Sequence, residues 1–139
     1  MKKVLILCTG NSCRSQIAHG YLKQYKNLEV VSAGIETHGL NLRAVKIMAE
    51  DGIDISDHKS TLIDDYLDST FDYVITVCDH ANETCPVFPT TSEKIHHSFS
   101  DPAKATGTEE EIMSAFRDVR DQIKFFCEGF HSKASRSNF

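Results

Sequence analysis

The chain has 139 residues, 40% of them hydrophobic and 25% charged, which is typical of one globular domain with a full core. Its formal net charge of −5 argues against a nucleic-acid-binding protein, and no apolar stretch is long enough to predict a membrane span. The five cysteines, an odd number without a secretory signal, favour a cytoplasmic chain with reduced thiols over a disulfide scaffold.

Apolar runs alternate with segments of helical periodicity along most of the chain. Strands are predicted at residues 2–8, 28–32, 72–78 and 95–99. Helices are predicted at residues 14–25, from 42 onward with Asn41 as the N-cap and Gly52 as the stop, at 61–67, and after a capping box at Thr108. This alternation predicts an α/β fold, a parallel sheet with helices on both faces.

The predicted domain covers residues 1–131, and residues 132–139 are expected to form a frayed tail. Pro86 and Pro89 mark an irregular passage before the fourth strand.

In parallel sheets, ligands bind at the carboxyl ends of the strands where the strand order reverses. Strands one and three become neighbours if the order is 2-1-3-4, but the periodicity leaves that order open.

A compact loop joins the first predicted strand to the first predicted helix. It consists of Cys8, Thr9, Gly10, Asn11, Ser12, Cys13, Arg14 and Ser15. Such a strand-to-helix turn directs backbone N–H groups at one spot beside the positive end of the helix dipole, which is a site for a tetrahedral oxyanion. Arg14 suits the same anion because its guanidinium is planar, always charged and bidentate. We therefore predict an oxyanion site in this loop.

Cys8, at the end of the first predicted strand, has the environment of a reactive thiol. A helix N-terminus and a nearby cation lower the pKa of a cysteine from its usual value of about 8.5, and the Ser15 hydroxyl can hydrogen-bond the thiolate. Taken alone, a cysteine at this point of a strand is more often a buried core residue. The spacing of Cys8, Arg14 and Ser15 around one turn instead favours a nucleophile with a lowered pKa.

A second pair of thiols, Cys78 and Cys85, lies at and after the end of the third predicted strand. Residues 79–84 lack Gly and Pro, so they can form a helix between the two cysteines. Together with Cys8 the pair can form a relay of three thiols. The alternatives are two structural cysteines or a metal site with nearby histidines. Because the Cys-x6-Cys spacing is not typical of zinc sites, we expect no metal and no cofactor.

Several segments carry a family resemblance. They are CTGNSCRSQ at 8–16, SAGIETHG at 32–39, IDIS at 53–56, TVC at 76–78 with Cys85 and Pro86, DPA at 101–103 and VRD at 119–121. With these segments the sequence resembles the thioredoxin-coupled arsenate reductases of the low-molecular-weight tyrosine phosphatase superfamily, over nearly the whole chain up to the tail. The loop at 8–15 is shared by reductases and phosphatases, whereas the Cys78 and Cys85 pair is specific to the reductases.

The resemblance implies a sheet order of 2-1-3-4 and three successive displacements. Cys8 attacks arsenate held by the loop and Arg14, while Asp101 protonates the departing hydroxyl. Cys78 then attacks the Cys8 adduct, which releases arsenite and leaves a Cys8–Cys78 disulfide. Cys85 attacks Cys78, and thioredoxin reduces the resulting Cys78–Cys85 disulfide. Phosphate or sulfate is expected to occupy the loop as a mimic of arsenate.

Two residues outside the loop bear on substrate size and on metal binding. Ala103 follows the turn at Asp101 where tyrosine phosphatases usually carry an aromatic wall, which favours a small inorganic substrate. His19, beside Asn11, Ser32 and Asp64, stands where potassium-binding members of the family have an acidic side chain. His19 weakens such a site, so we assign no potassium here.

Two other functions stay open at this point. A small protein-tyrosine phosphatase needs Cys8, Arg14 and Asp101 and no further thiol, because water completes the hydrolysis. A thiol redox sensor or an oxyanion-binding module needs the loop but no turnover. Glutaredoxin is the alternative reductant to thioredoxin. The remaining residues with possible chemistry, which we interpret as packing or loop residues, are Cys13, Cys127, His38 and His58.

Overall fold

A computed structural model describes residues 1–85 and 92–136 of the chain. Four parallel strands form one sheet in the order β2-β1-β3-β4. The strands are β1 (Lys2–Cys8), β2 (Leu28–Gly34), β3 (Tyr73–Thr76) and β4 (Glu93–His96). The helices are α1 (Arg14–Leu22), α2 (Leu42–Glu50), α3 (Asp79–Thr84) and α4 (Glu109–Ser135), with 3-10 helices at Ile63–Tyr66 and Pro102–Lys104. The predicted fold class and the strand order 2-1-3-4 are therefore confirmed.

β1 lies near the centre of the sheet, between β2 and β3. Its residues 4–7 are fully buried, as expected for a continuous apolar run that is covered on both faces. Because crossovers between parallel strands are right-handed, the change of direction after β2 places α1 and α3 on opposite faces. α4 packs mainly against α1. This topology brings the carboxyl ends of β1 and β3 together at the point where the strand order reverses.

The predicted helix caps are confirmed. The Asn41 side chain accepts hydrogen bonds from the first amides of α2, and Gly52 follows that helix with a φ of 76°, in the left-handed region that favours glycine. At α4, Thr108 and Glu111 form the reciprocal capping box. The buried residues of α4 repeat at helical spacing and are Met113, Phe116, Val119, Ile123, Cys127, Phe130 and Ala134.

Two predicted bounds before the middle of the chain differ from the structure. α1 ends at Leu22 rather than at residue 25, because the backbone then tightens and the Tyr25 amide donates to the Leu22 carbonyl, three residues back, at 3.1 Å. β2 continues to Gly34, whose amide donates to the Thr61 carbonyl at 2.7 Å. A Cβ at Gly34 would meet the backbone of Thr9 and Asn11, so this position requires glycine.

The second half of the chain shows similar shifts. β3 is shorter than the predicted strand at 72–78, and β4 begins two residues earlier and ends three earlier than predicted. After β4 the amides of His97 and Phe99 still donate to the Thr76 and Val77 carbonyls, at 3.0 and 3.1 Å. The segment at 61–67, predicted as a short helix, contains one 3-10 turn.

The last helix extends further than predicted. α4 includes residues 132–135, where a frayed tail was expected, because Ala134 is 1% exposed and the His131 ring stacks on Tyr25 at 3.6 Å between ring centroids. The predicted irregular passage at Pro86 and Pro89 lies outside the described residues. Among the helices of residues 1–85 and 92–136, none has the length and apolar character needed to cross a membrane.

Candidate active site

The loop between β1 and α1 turns its carbonyl groups outward. The carbonyls of residues 8–13 all accept hydrogen bonds from groups outside the loop. The donors are the amides of Ile35, Glu36, His38, Asn41 and Ile17 and the side chains of Gln16 and Ser60. Because the C=O and N–H of a trans peptide point in opposite directions, the N–H groups of the loop face its centre. The backbone thus forms the nest that an oxyanion requires.

Asn11 holds the loop in this shape. It is fully buried and has a φ of 49°, a left-handed conformation that Asn tolerates better than most residues. Its Oδ1 accepts from the Thr61 amide at 2.9 Å, and its Nδ2 donates to Ser15 Oγ at 2.8 Å. Asn11 was predicted as part of the anion site, and its side chain serves to fix the backbone.

Arg14 and Asp101 flank the mouth of the loop. Arg14, the first residue of α1, donates from Nη1 to the Phe99 carbonyl at 2.9 Å and places Nη2 at 3.7 Å from Asp101 Oδ2. Asp101 Oδ1 accepts from the Ala103 amide at 3.0 Å and so caps the 3-10 helix that follows. Both side chains are largely buried, 13% and 26% exposed, so their orientation is fixed before an anion arrives.

A cavity of about 300 Å³ lies over the loop. Its lining residues are Cys8, Thr9, Gly10, Ser12, Cys13, Arg14, His38, Asp101, Ala103 and Lys104. Ala103 lies in its wall, as the sequence predicted, and leaves room for a small ligand. The sequence did not indicate His38 and Lys104, because their approach to the loop depends on the packing of two distant segments. A larger apolar groove of about 560 Å³, next to β4 and α4, contains none of the predicted site residues.

Cys8, which lines this cavity, forms a buried pair of thiols with Cys78. They are 3% and 4% exposed, and Thr9 Oγ1 lies 3.3 Å from Cys78 Sγ. The hydrogen bond to Cys78, together with burial, raises the pKa of Cys8 despite the guanidinium of Arg14. The same hydrogen bond lowers the pKa of Cys78 to about 5. Burial and the contact with Cys78 thus act against the lowered pKa that the sequence predicts for Cys8, while the Arg14 guanidinium acts in its favour.

Cys85 lies at the opposite end of α3 from Cys78. Cys78 precedes the first residue of the helix and Cys85 follows the last, and burial raises the pKa of Cys85. The structure therefore brings together Cys8, Cys78, Arg14 and Asp101, while α3 keeps Cys85 apart.

Of the other two cysteines, Cys13 lies in the cavity wall and Cys127 lies in the core. Cys13 is buried in the cavity wall, and burial raises its pKa to about 12, so the thiol stays protonated at neutral pH. Cys127 is fully buried on α4, with Sγ 3.9 Å from the Ala18 carbonyl oxygen, which confirms its predicted place in the core.

The position associated with potassium holds a neutral histidine, His19. Burial lowers the pKa of His19 to about 4, so its imidazole is neutral, and Nδ1 lies 2.8 Å from Ser32 Oγ. The ring also packs on that of His58, at 4.4 Å between centroids, and Asp64 is exposed. A neutral imidazole brings no negative charge, so His19 weakens a cation site at this position. Within the described part of the chain, no three His, Cys, Asp or Glu side chains are grouped to share a metal ion.

The fold and the anion loop define the class of protein. The sequence model described as "Low molecular weight phosphotyrosine protein phosphatase" matches residues 3–138, and the chain belongs to this family.

Within the family, several relatives that are similar in sequence are arsenate reductases. The "Arsenate reductase" of Halalkalibacterium halodurans is 53% identical over 124 residues, which cover 88% of this chain and 89% of that protein. The "Arsenate reductase" of Staphylococcus aureus is 46% identical over 134 residues, which cover 95% of this chain and 98% of that protein. A solved structure described as "An arsenate reductase in oxidized state" superposes with a TM-score of 0.80 at 32% identity, over 96% of this chain and 98% of that one.

Proposed function

We propose that this chain reduces arsenate to arsenite by a relay of Cys8, Cys78 and Cys85, with thioredoxin as the final reductant. One observation carries the proposal. A second thiol, Cys78, is hydrogen-bonded to the thiol at the floor of an oxyanion loop, and a third thiol lies at the far end of the helix that begins there. The names of the relatives support the same substrate.

The first step joins arsenate to Cys8. The loop N–H groups and Arg14 hold the anion, and the proton of Cys8 moves to Cys78 across their hydrogen bond. Cys8 Sγ then bonds to arsenic, and an arsenic–oxygen bond breaks. Asp101, 3.7 Å from the Arg14 guanidinium, protonates the departing oxygen, which leaves as water.

The second step reduces the arsenic. Cys78 Sγ attacks Cys8 Sγ, so a disulfide forms and the sulfur–arsenic bond breaks with its electron pair remaining on arsenic. Arsenic(V) becomes arsenic(III), two thiols are oxidised, and the proton of Cys78 passes to an oxygen of the arsenite.

The third step frees the loop for another cycle. Cys85 loses its proton to solvent and attacks Cys78, which forms the Cys78–Cys85 disulfide and releases Cys8 as a thiolate. A dithiol partner, thioredoxin, then reduces the new disulfide. This chemistry requires reducing conditions, in keeping with a cytoplasmic location.

A weak phosphatase activity is the second candidate function. Hydrolysis needs the loop, Arg14 and Asp101 but neither Cys78 nor Cys85, since water replaces the second thiol. The cavity of about 300 Å³ with Ala103 in its wall favours arsenate over the ring of a phosphotyrosine.

A coupled assay tests the proposal. NADPH oxidation is followed with thioredoxin, thioredoxin reductase and the chain, with and without arsenate, and with glutathione and glutaredoxin as the alternative reductant. Arsenate-dependent oxidation with thioredoxin is expected. Hydrolysis of p-nitrophenyl phosphate without arsenate reduction would instead support the phosphatase, and binding of phosphate without either activity would support an anion-binding module or a redox sensor.

A further inference from the structure

Three side chains form a chain of hydrogen bonds at the carboxyl edge of the sheet, next to Cys78. His96 Nδ1 lies 2.8 Å from Thr76 Oγ1, and His96 Nε2 lies 2.9 Å from Asp79 Oδ1. Thr76 is the last residue of β3, His96 the last of β4 and Asp79 the first of α3. The imidazole therefore ties the beginning of α3 to the sheet.

Each hydrogen bond among these three side chains joins a donor to an acceptor. The Asp79 carboxylate can only accept, so Nε2–H of His96 donates to it. In the neutral ring Nδ1 then accepts, and the fully buried Thr76 hydroxyl donates to it. Without His96, the partner left to the Thr76 hydroxyl among the described residues would be Asn82 Oδ1, at the longer distance of 3.5 Å. The ring thus satisfies a buried hydroxyl on one side and anchors α3 on the other.

We propose that His96 is a positioning residue of the disulfide relay, acting through Asp79 to keep the first turn of α3 on the sheet and Cys78 beside Cys8. The inference rests on the proposed function, because it concerns the second and third thiols. Cys78 lies directly between Thr76–Val77 and Asp79 in the chain, so both ends of its backbone are held. Its Sγ lies 3.3 Å from Thr9 Oγ1, the arrangement that this anchoring preserves.

The same contact affects the later exchange between thiols. When Cys85 Sγ bonds to Cys78 Sγ, the Cys8–Cys78 bond breaks and Cys8 leaves as a thiolate. Cys78 and Cys85 are then linked, and α3 between them cannot keep its helical length. Asp79 moves with the unwinding turn while His96 stays on β4, so their hydrogen bond opens. The contact between His96 and Asp79 therefore favours the reduced, helical state over the Cys78–Cys85 disulfide.

The reduction potential of the Cys78–Cys85 disulfide tests this inference, measured by equilibration with a dithiol redox buffer. His96→Ala and Asp79→Ala are each expected to shift the equilibrium toward the disulfide by about three- to tenfold. A tenfold shift corresponds to a potential about 30 mV more negative. The double variant should shift no further than either single one, since both remove the same contact. Glu83→Ala, on the exposed side of the same helix, is the matched control and should leave the potential unchanged.

Other outcomes would overturn the inference, and they distinguish a failure of the His96 role from a failure of the thiol relay. Unchanged potentials in both single variants, or shifts that add in the double variant, would show that His96 does not act through Asp79. If His96→Ala fails to fold, Asp79→Ala still decides, because its side chain is 73% exposed. If the parent protein forms no Cys78–Cys85 disulfide after arsenate turnover, the relay itself fails and the positioning role fails with it.

Discussion

Closing a disulfide between Cys78 and Cys85 is expected to unwind α3. The six residues of this helix separate the two cysteines. Over seven residue steps an α-helix rises about 10.5 Å, whereas a disulfide requires Cα atoms within about 7 Å of each other. The two ends must approach by at least about 3.5 Å, which an intact helix does not allow.

We expect this unwinding to cost little beyond the loss of the hydrogen bond between His96 and Asp79. Isolated helices are marginal even at about 12–15 residues, so α3 depends on its packing. Within it Ala81 is fully buried, whereas Asp79, His80 and Glu83 are exposed. Burying one methyl group contributes about 0.8 kcal/mol, a small part of the roughly 5–15 kcal/mol that stabilises a typical domain. We therefore expect α3 to open without disturbing the sheet.

Hydrogen exchange on the reduced and the oxidised protein measures this change. The amides of residues 82–84 lie beyond the first turn of α3, where Asn82 donates to the Cys78 carbonyl at 3.2 Å. They should lose at least about tenfold in protection on oxidation, equivalent to about 1.4 kcal/mol. Residues 4–7 and Tyr73–Thr76 should keep their protection.

The control for this experiment is Cys85→Ser, which cannot form the second disulfide and should keep α3 protected under the same oxidant. Equal protection of residues 82–84 in the reduced and oxidised parent protein would refute the geometric argument.

Three substitutions separate the other roles. Cys78→Ser removes the sulfur whose hydrogen bond raises the pKa of Cys8, so this pKa should fall, as followed by ultraviolet thiolate absorbance. Reduction of arsenate should stop while slow hydrolysis of p-nitrophenyl phosphate persists, and loss of both activities would contradict this assignment. Asp101→Asn keeps an acceptor for the Ala103 amide but removes the acid. Turnover should therefore fall about 10²–10⁴-fold, with an unchanged circular dichroism spectrum. An unchanged rate at saturating substrate would show that Asp101 is a turn residue without a catalytic role. Asn11→Ala removes two buried hydrogen bonds and leaves a strained φ. Urea unfolding should therefore show a free energy of unfolding that is lower by about 2–4 kcal/mol. A decrease below about 0.5 kcal/mol would show that the loop does not depend on this side chain.

The parts of the site that could be predicted are those with local chemical signatures. The loop follows from a strand, a turn rich in Gly, Asn and Ser, and a helix, all within the first 22 residues. Asn41 and Thr108 are caps whose side chains bond amides two or three residues away. The neighbourhood of Cys8 and Cys78 follows once β1 and β3 pair, because both cysteines lie at the carboxyl ends of these strands.

The parts that could not be predicted depend on contacts between distant segments. The Phe99 carbonyl holds Arg14, and a backbone carbonyl has no sequence signature. The raised pKa of Cys8 results from its hydrogen bond to Cys78, which outweighs the arginine that the loop motif suggested. The end of α4 was misplaced because residues 132–135 are mostly polar, yet Ala134 still packs into the core.

The order of the three thiols is the central claim, and a single-turnover experiment with Cys85→Ser tests it most directly. The reduced variant is mixed with excess arsenate, quenched with an alkylating reagent and digested for peptide mass mapping, and arsenite is counted per protein. We predict that each protein molecule produces one arsenite and then stops with a Cys8–Cys78 disulfide. Continued arsenite production at the parent rate in the presence of thioredoxin, without that disulfide, would contradict the relay.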